Sequence, residues 1–249
     1  MAKNRYEFWR GWKRKTELEE AAIKSIKIAK RLILRTIPRN ETVSIYAKGS
    51  FVRREMNKKS DVDTVTIVKH SRALMKIRWL EKRYREKYKP QIQFTGYSIW
   101  ELKNNKRTKS GKKLSPSPSR TVTHLDHYKL LYGKNLRKED FNQGSVIGHL
   151  KGLLFAFNNL FIPGYNEGKF GFSEVAKQVF WLVELEQILK GKNPPNNWKR
   201  LARSIMDQNH IIHDALRFRL EPTKDKKARE RFMVKLQKYL KQLERQIGK

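Results

Sequence analysis

The 249 residues contain no cysteine. A disulfide framework and a cysteine-ligated zinc site are therefore both excluded, and the absence fits a reducing compartment. Acids are scarce as well, with 24 Asp plus Glu facing 57 Lys plus Arg for a formal net charge of +33. So large an excess repels itself in a lone compact chain and makes a polyanion the expected partner, nucleic acid first and an anionic membrane surface second. Long apolar runs are missing too. The opening stretch MAKNRYEFWRGWKRK has charge but no apolar segment, and no uninterrupted apolar run reaches the roughly 20 residues that a bilayer span needs. The expectation is a soluble, cytoplasmic protein with no membrane span.

What is present still supports a folded core: 38% of residues are hydrophobic and six are Trp, unlike a disordered basic tail. The length lies near the size at which one core splits, so two modest domains are expected, residues 1–141 and 142–249. Thr16 and Glu19 frame a capping box ahead of Leu18, Ala22, Ile26, Ala29 and Ile33 at helical spacing, and Pro38 ends that pattern. Residues 42–48 read as a strand, Gly49-Ser50 as a tight turn, 51–56 as a short helical segment and 62–68 as a second strand. Helical spacing returns over 72–88 with Leu74, Ile77, Leu80 and Tyr84 inward. Pro90 breaks it, and 91–97 make a third strand. Alternation of strand and helix argues for a layered sheet.

Residues 103–120 hold Lys and Arg but no acid, end in Ser-Pro repeats and follow neither period. They read as a mobile basic insert, either a solvated loop or an arm that contacts phosphates. From 142 onward strand signals stop. Helical patterns cover 145–160, 173–189, 198–220 and 224–247, with breakers at Pro163-Gly164, at Gly191 with Pro194-Pro195, and at Pro222. Four such helices imply an up-and-down bundle, with Phe155, Phe157, Phe161, Phe170, Phe172, Phe180 and Trp181 as its core aromatics. Trp9 and Trp12 in the basic leader either stack on bases or staple the leader to the core.

The chemistry concentrates in residues 46–68. Asp61 and Asp63 stand at i and i+2 on a strand and so share a face. Two carboxylates this close repel unless a cation lies between them, and hard oxygen ligands suit Mg²⁺ carrying a substrate's phosphates. Gly49 and Ser50 precede Asp61-Val62-Asp63 with ten residues intervening.

That arrangement resembles the minimal nucleotidyltransferases of the DNA polymerase β-like superfamily, whose turn continues with an Arg and a Glu and arrives at Ser-Asp-x-Asp. Arg53, Glu55 and Ser60-Asp61-Val62-Asp63 match those positions, whereas Arg54 stands where a glycine is usual. The resemblance implies an α+β fold, a small mixed-sheet nucleotidyltransferase domain followed by an all-α bundle. It implies that Asp61 and Asp63 bind Mg²⁺ or Mn²⁺ and catalyse, that Gly49 and Ser50 hold the triphosphate of an NTP such as ATP, and that Arg53 and Ser60 support it. The family's third carboxylate falls on Gln93, and an amide cannot act as a base. Glu101 and Asp126 are the acids that could replace it.

The bundle resembles the helical domains of kanamycin-type nucleotidyltransferases and of HEPN proteins. HEPN ribonucleases carry an Arg, four to six residues, then His, as Arg203 and His210 do here. Two helical turns would bring both to one face, though a polar helix face produces the same interval. The expected function is transfer of a nucleoside monophosphate from an NTP to RNA, such as transfer or ribosomal RNA. The alternatives are a non-catalytic RNA- or ribosome-binding protein, protein AMPylation, and RNA cleavage by Arg203 and His210.

Overall fold

Thr16 Oγ1 accepts the Glu19 N–H at 3.2 Å while Glu19 Oε2 accepts that of Thr16 at 2.9 Å, so helix α1 (Glu17–Thr36) begins at the expected capping box. The computed structural model describes residues 6–58, 60–111 and 117–248 and divides into two units, Met1–Gly144 and Ser145–Lys249. In the first, α1 is followed by β1 (Thr42–Lys48), α2 (Gly49–Arg53), β2 (Val62–Val68), α3 (Leu74–Tyr84), β3 (Ile92–Ser98), α4 (Ile99–Asn104), α5 (Pro118–Thr123) and β4 (Lys129–Gly133).

The strands form one mixed sheet in the order β3-β2-β1-β4. β1 is antiparallel to β2 and β4, whereas β2 and β3 are parallel, as their crossover through α3 requires. Strand alternation then separates two faces. Ile45, Ala47, Val62 and Phe94 pack with Ile26, Ile33, Leu74 and Ile77 of α1 and α3. Tyr46, Val65, Ile67 and Tyr97 pack on the other side with Leu102, Val122 and Leu125. The fold is α+β, as expected.

Three expectations need correction or completion here. Strand β4 was not foreseen: it is five residues long and joins the sheet through a register shift against β1. The insert over 103–120 is partly built into the fold rather than mobile throughout. Glu101, fully buried, accepts from the Thr108 N–H at 2.8 Å, its hydroxyl at 2.7 Å and Arg107 at 3.1 Å. Residues 112–116 of that insert, and residues 1–5 of the leader, lie outside the described residues. Trp9 is only 5% exposed, and Phe8, Trp9 and Trp12 all gather on Phe51, so the leader tryptophans act as a staple.

The second unit comprises α6 (Val146–Ala156), α7 (Ile162–Asn166), α8 (Phe172–Leu189), α9 (Trp198–Arg203), α10 (Ile211–Leu220) and α11 (Lys226–Ile247). α8 packs against α6, α9 and α10, and Val179, Val183, Leu236 and Leu240 are among the residues of its shared core. Phe180 stacks on Trp198, whereas Phe155 is 69% exposed and is no core residue. Pro163-Gly164 does not break the chain as expected. A π-helical turn, Phe157–Phe161, joins α6 to α7, and its wider ring lets Pro163 enter as an early residue of α7. Val146–Asn166 is consequently one 21-residue helix, long and apolar enough by length and composition to cross a bilayer. His149, Lys151, Asn158 and Asn159 interrupt it, so it is not the uninterrupted apolar run whose absence was expected.

Candidate active site

β1 ends at Lys48, and Gly49 follows at φ +78, a left-handed conformation that side chains resist. A Cβ at Gly49 would collide with Asp63 Oδ2, so the missing side chain is what lets this carboxylate close on the turn. Asp61 directly precedes β2 and Asp63 is its second residue; both are partly exposed. The antiparallel register sets Lys48 opposite Asp63, and the parallel register sets Gln93 on its other side. Directly paired residues share a face of the sheet, so Asp63 stands between a cation and an amide.

Lys48 escaped the motif reading, although counting the β1–β2 hairpin outward from Gly49 and Asp63 would have found it. Burial opposes its charge, but Tyr128 and the Asp63 carboxylate outweigh burial and lift its pKa above the ordinary lysine value. Burial also raises the Tyr128 phenol, against the pull of Lys48 and with the help of Tyr97. Lys48 thus partly balances Asp63.

The supporting residues are placed differently from one another. Ser50 is the second residue of α2, directly after Gly49. Arg53 Nε donates to Glu55 Oε2 at 2.7 Å, with both side chains largely buried. Ser60 closes the turn before Asp61: its hydroxyl accepts the Asn57 N–H at 2.9 Å, and its own N–H donates to the Asn57 carbonyl at 2.8 Å. Arg54 adopts φ 57, ψ 43, which explains why glycine is usual there. Its guanidinium donates to buried Glu19 at 2.8 Å and lies 4.7 Å from the Trp12 ring centroid. Hydrogen bonding from Arg54 also keeps the Glu19 carboxyl below its usual pKa, against burial.

Among the described residues no acid takes the place of Gln93. Glu101 is committed to the loop contacts described above, and Asp126 pairs with Lys138 at 2.7 Å. Glu81 feels the charge of Asp61, but its carboxylate accepts the Phe94 N–H at 2.6 Å on the edge of β3. Burial is the main cause of its raised pKa, with Asp61 adding to it. Among the described residues no group of three His, Asp or Glu comes together as a metal site. Asp61 and Asp63 nevertheless offer what a magnesium-type ion takes from protein, one or two carboxylates, the remaining ligands being water and substrate phosphate.

Arg203 and His210 do not share a helix. α9 ends at Arg203, where the Ser204 hydroxyl caps back onto the Leu201 carbonyl, and His210 is the N-cap of α10, accepting the Ile212 N–H at 3.3 Å. Residues 198–220 are thus two helices, and the expected two-turn alignment is not formed.

Residues 27–117 match the nucleotidyltransferase domain family, a span that includes Gly49, Ser50, Asp61, Asp63 and Gln93. Among solved structures the chain is similar to spectinomycin adenyltransferase AAD(9) from Enterococcus faecialis, in its structure with ATP and spectinomycin. The two share 17% identity at a TM-score of 0.54, covering 88% of this chain and 99% of that one. At that identity the likeness is one of fold. No curated protein sequence matches. Residues 27–117 therefore carry a nucleotidyltransferase domain, and the fold of the chain is like that of a solved adenyltransferase.

Proposed function

We propose that this protein transfers a nucleoside monophosphate from an NTP, ATP in the simplest case, to a hydroxyl of RNA, with pyrophosphate leaving. The observation that carries the reading is the Asp61–Asp63 pair at the Gly49 turn, with Asp63 packed against the glycine, inside a nucleotidyltransferase domain. Gly49 gives the triphosphate a close approach to backbone, and Ser50 offers a hydroxyl and an N–H to its oxygens. Asp61 and Asp63 would hold Mg²⁺ or Mn²⁺, which supplies charge neutralisation at the transferring and leaving phosphates. Lys48 places a further cation beside Asp63. Gln93 can align an attacking hydroxyl by hydrogen bonding, but it cannot remove its proton, so slow transfer is expected.

RNA as acceptor follows from charge. A protein of +33 draws in polyanions such as transfer or ribosomal RNA and repels a cationic small acceptor. The amide at Gln93 favours one other reading, an RNA- or ribosome-binding protein that keeps the fold without catalysing. Incubation with each α-labelled NTP, Mg²⁺ or Mn²⁺, and total RNA separates the two. Label entering RNA, and lost in Asp61→Ala with Asp63→Ala, supports transfer; tight RNA binding with no incorporation overturns it.

A further inference from the structure

The helical unit, residues 145–249, carries 20 Lys plus Arg against 10 Asp plus Glu, and this basic excess is not spread evenly over it. Two adjoining hollows concentrate it. The first, about 490 Å³, lies between the end of α8, the 204–210 loop and α11, and is lined by Lys190, Lys192, Lys235 and Lys238 along with Asp207 and His210. Its other acid, Glu186, is 2% exposed and already engaged. It accepts from Lys190 Nζ at 2.7 Å and the Tyr239 hydroxyl at 2.6 Å, and His210 Nε2 lies 3.5 Å away. The second hollow, about 350 Å³, continues along α11 and is lined by Lys238, Lys241, Gln242, Arg245 and Gln246, with no acid. Lys238 and Gln242 belong to both.

Lys238, Lys241 and Arg245 recur at three and four residues on one face of α11, spanning about 10 Å at the usual helical rise. All three are exposed, and no acid among the described residues pairs with any of them. The nearest acid on the helix, Glu244, accepts from Asn158 at 2.8 Å. A row of unneutralised cations with amide side chains between them suits a chain of phosphates. The first hollow is walled by α8, the 204–210 loop and α11 and gives a strand a cleft to enter, and the second continues it as an open face of α11 alone.

We infer that this groove, through Lys238, Lys241 and Arg245, grips the phosphate backbone of a single-stranded RNA segment. The inference rests on the reading of RNA as the acceptor and says where the helical unit holds it. The test measures binding of the full chain to a fluorescent single-stranded oligouridylate across a salt titration. Lys238→Gln with Lys241→Gln and Arg245→Gln keeps helix-forming residues at solvent-exposed positions. It is compared with Lys24→Gln, Arg31→Gln and Arg35→Gln, an equal charge loss on the exposed face of α1.

The groove variant should bind about tenfold or more weakly at ~0.1 M salt, and its log–log salt slope should flatten by about 2, three phosphates at ~0.7 each. The α1 variant should stay within about twofold of the native protein. If the native chain fails to bind RNA, the acceptor reading falls and the groove with it. If both variants weaken alike, or neither does, the acceptor reading stands and the groove is wrong. If the groove variant instead releases phosphatidylserine vesicles that the native protein binds, while RNA binding is unchanged, the surface is a lipid site.

Discussion

Asp63 and Gln93 stand side by side, in register on parallel strands. The side chain that could complete the Asp61–Asp63 set as a third acid is therefore an amide of almost the same shape. Gln93→Glu restores a carboxylate without changing volume. Its expected result is at least a tenfold rise in the rate of NMP transfer, with the largest gain at high pH, where general-base action is favoured. Single-turnover assays across pH check it. An unchanged rate would show that proton removal does not limit transfer.

Gly49 and Asp63 make a second coupled pair. Gly49→Ala meets both a positive φ and the Asp63 carboxylate, so it should cost about 2 kcal/mol of stability. In an Asp63→Ala background the collision disappears while the backbone strain remains. The double variant should then be more stable than the sum of the singles by about 1 kcal/mol. Chemical denaturation of the four proteins measures the cycle, and strict additivity would mean that the carboxylate moves aside without cost.

Local rules were readable from the chain because they involve neighbours. The Thr16–Glu19 capping box, the Gly49 turn and the paired aspartates all depend on residues a few positions apart. What escaped depends on tertiary partners. Lys48 reaches Asp63 only through strand register, and β4 is a strand because β1 has a free edge to receive it. Arg107 and Thr108 look solvent-bound until buried Glu101 is placed beneath them. The break between α9 and α10 lies in a Ser204 side-chain bond and a histidine N-cap rather than at Gly or Pro, the residues that usually announce one.

Arg54 occupies a left-handed position and offsets the strain with Glu19 and Trp12. Left-handed backbone costs a side-chain-bearing residue about 1–2 kcal/mol, and the ion pair with Glu19 offsets part of that strain. Arg54→Gly removes both the strain and the partners and should stay near native stability. Arg54→Ala keeps the strain and loses the partners, so it should be less stable than both the native protein and Arg54→Gly. Thermal unfolding of both variants decides it; equal losses would show that the partners, not the backbone, dominate.

Glu186 makes the helical unit sensitive to acid. Burial alone would raise its pKa, but hydrogen bonds from His210, Lys190 and Tyr239 overcome that and hold it to about 2. A carboxyl with a depressed folded-state pKa contributes stability above its unfolded value of 4.5 and loses it as pH falls toward 2. Between pH 6 and pH 3 the loss should be on the order of 2 kcal/mol. Other acids titrate in the same window, yet they do so equally in native protein and in Glu186→Gln, which has no charge to lose. The variant should be less stable at pH 6, where native Glu186 keeps its charged hydrogen bonds, and the gap should close toward pH 3. Calorimetric unfolding across that range tests this. A gap that stays constant would mean that Glu186 acts through packing and neutral hydrogen bonds rather than through its charge.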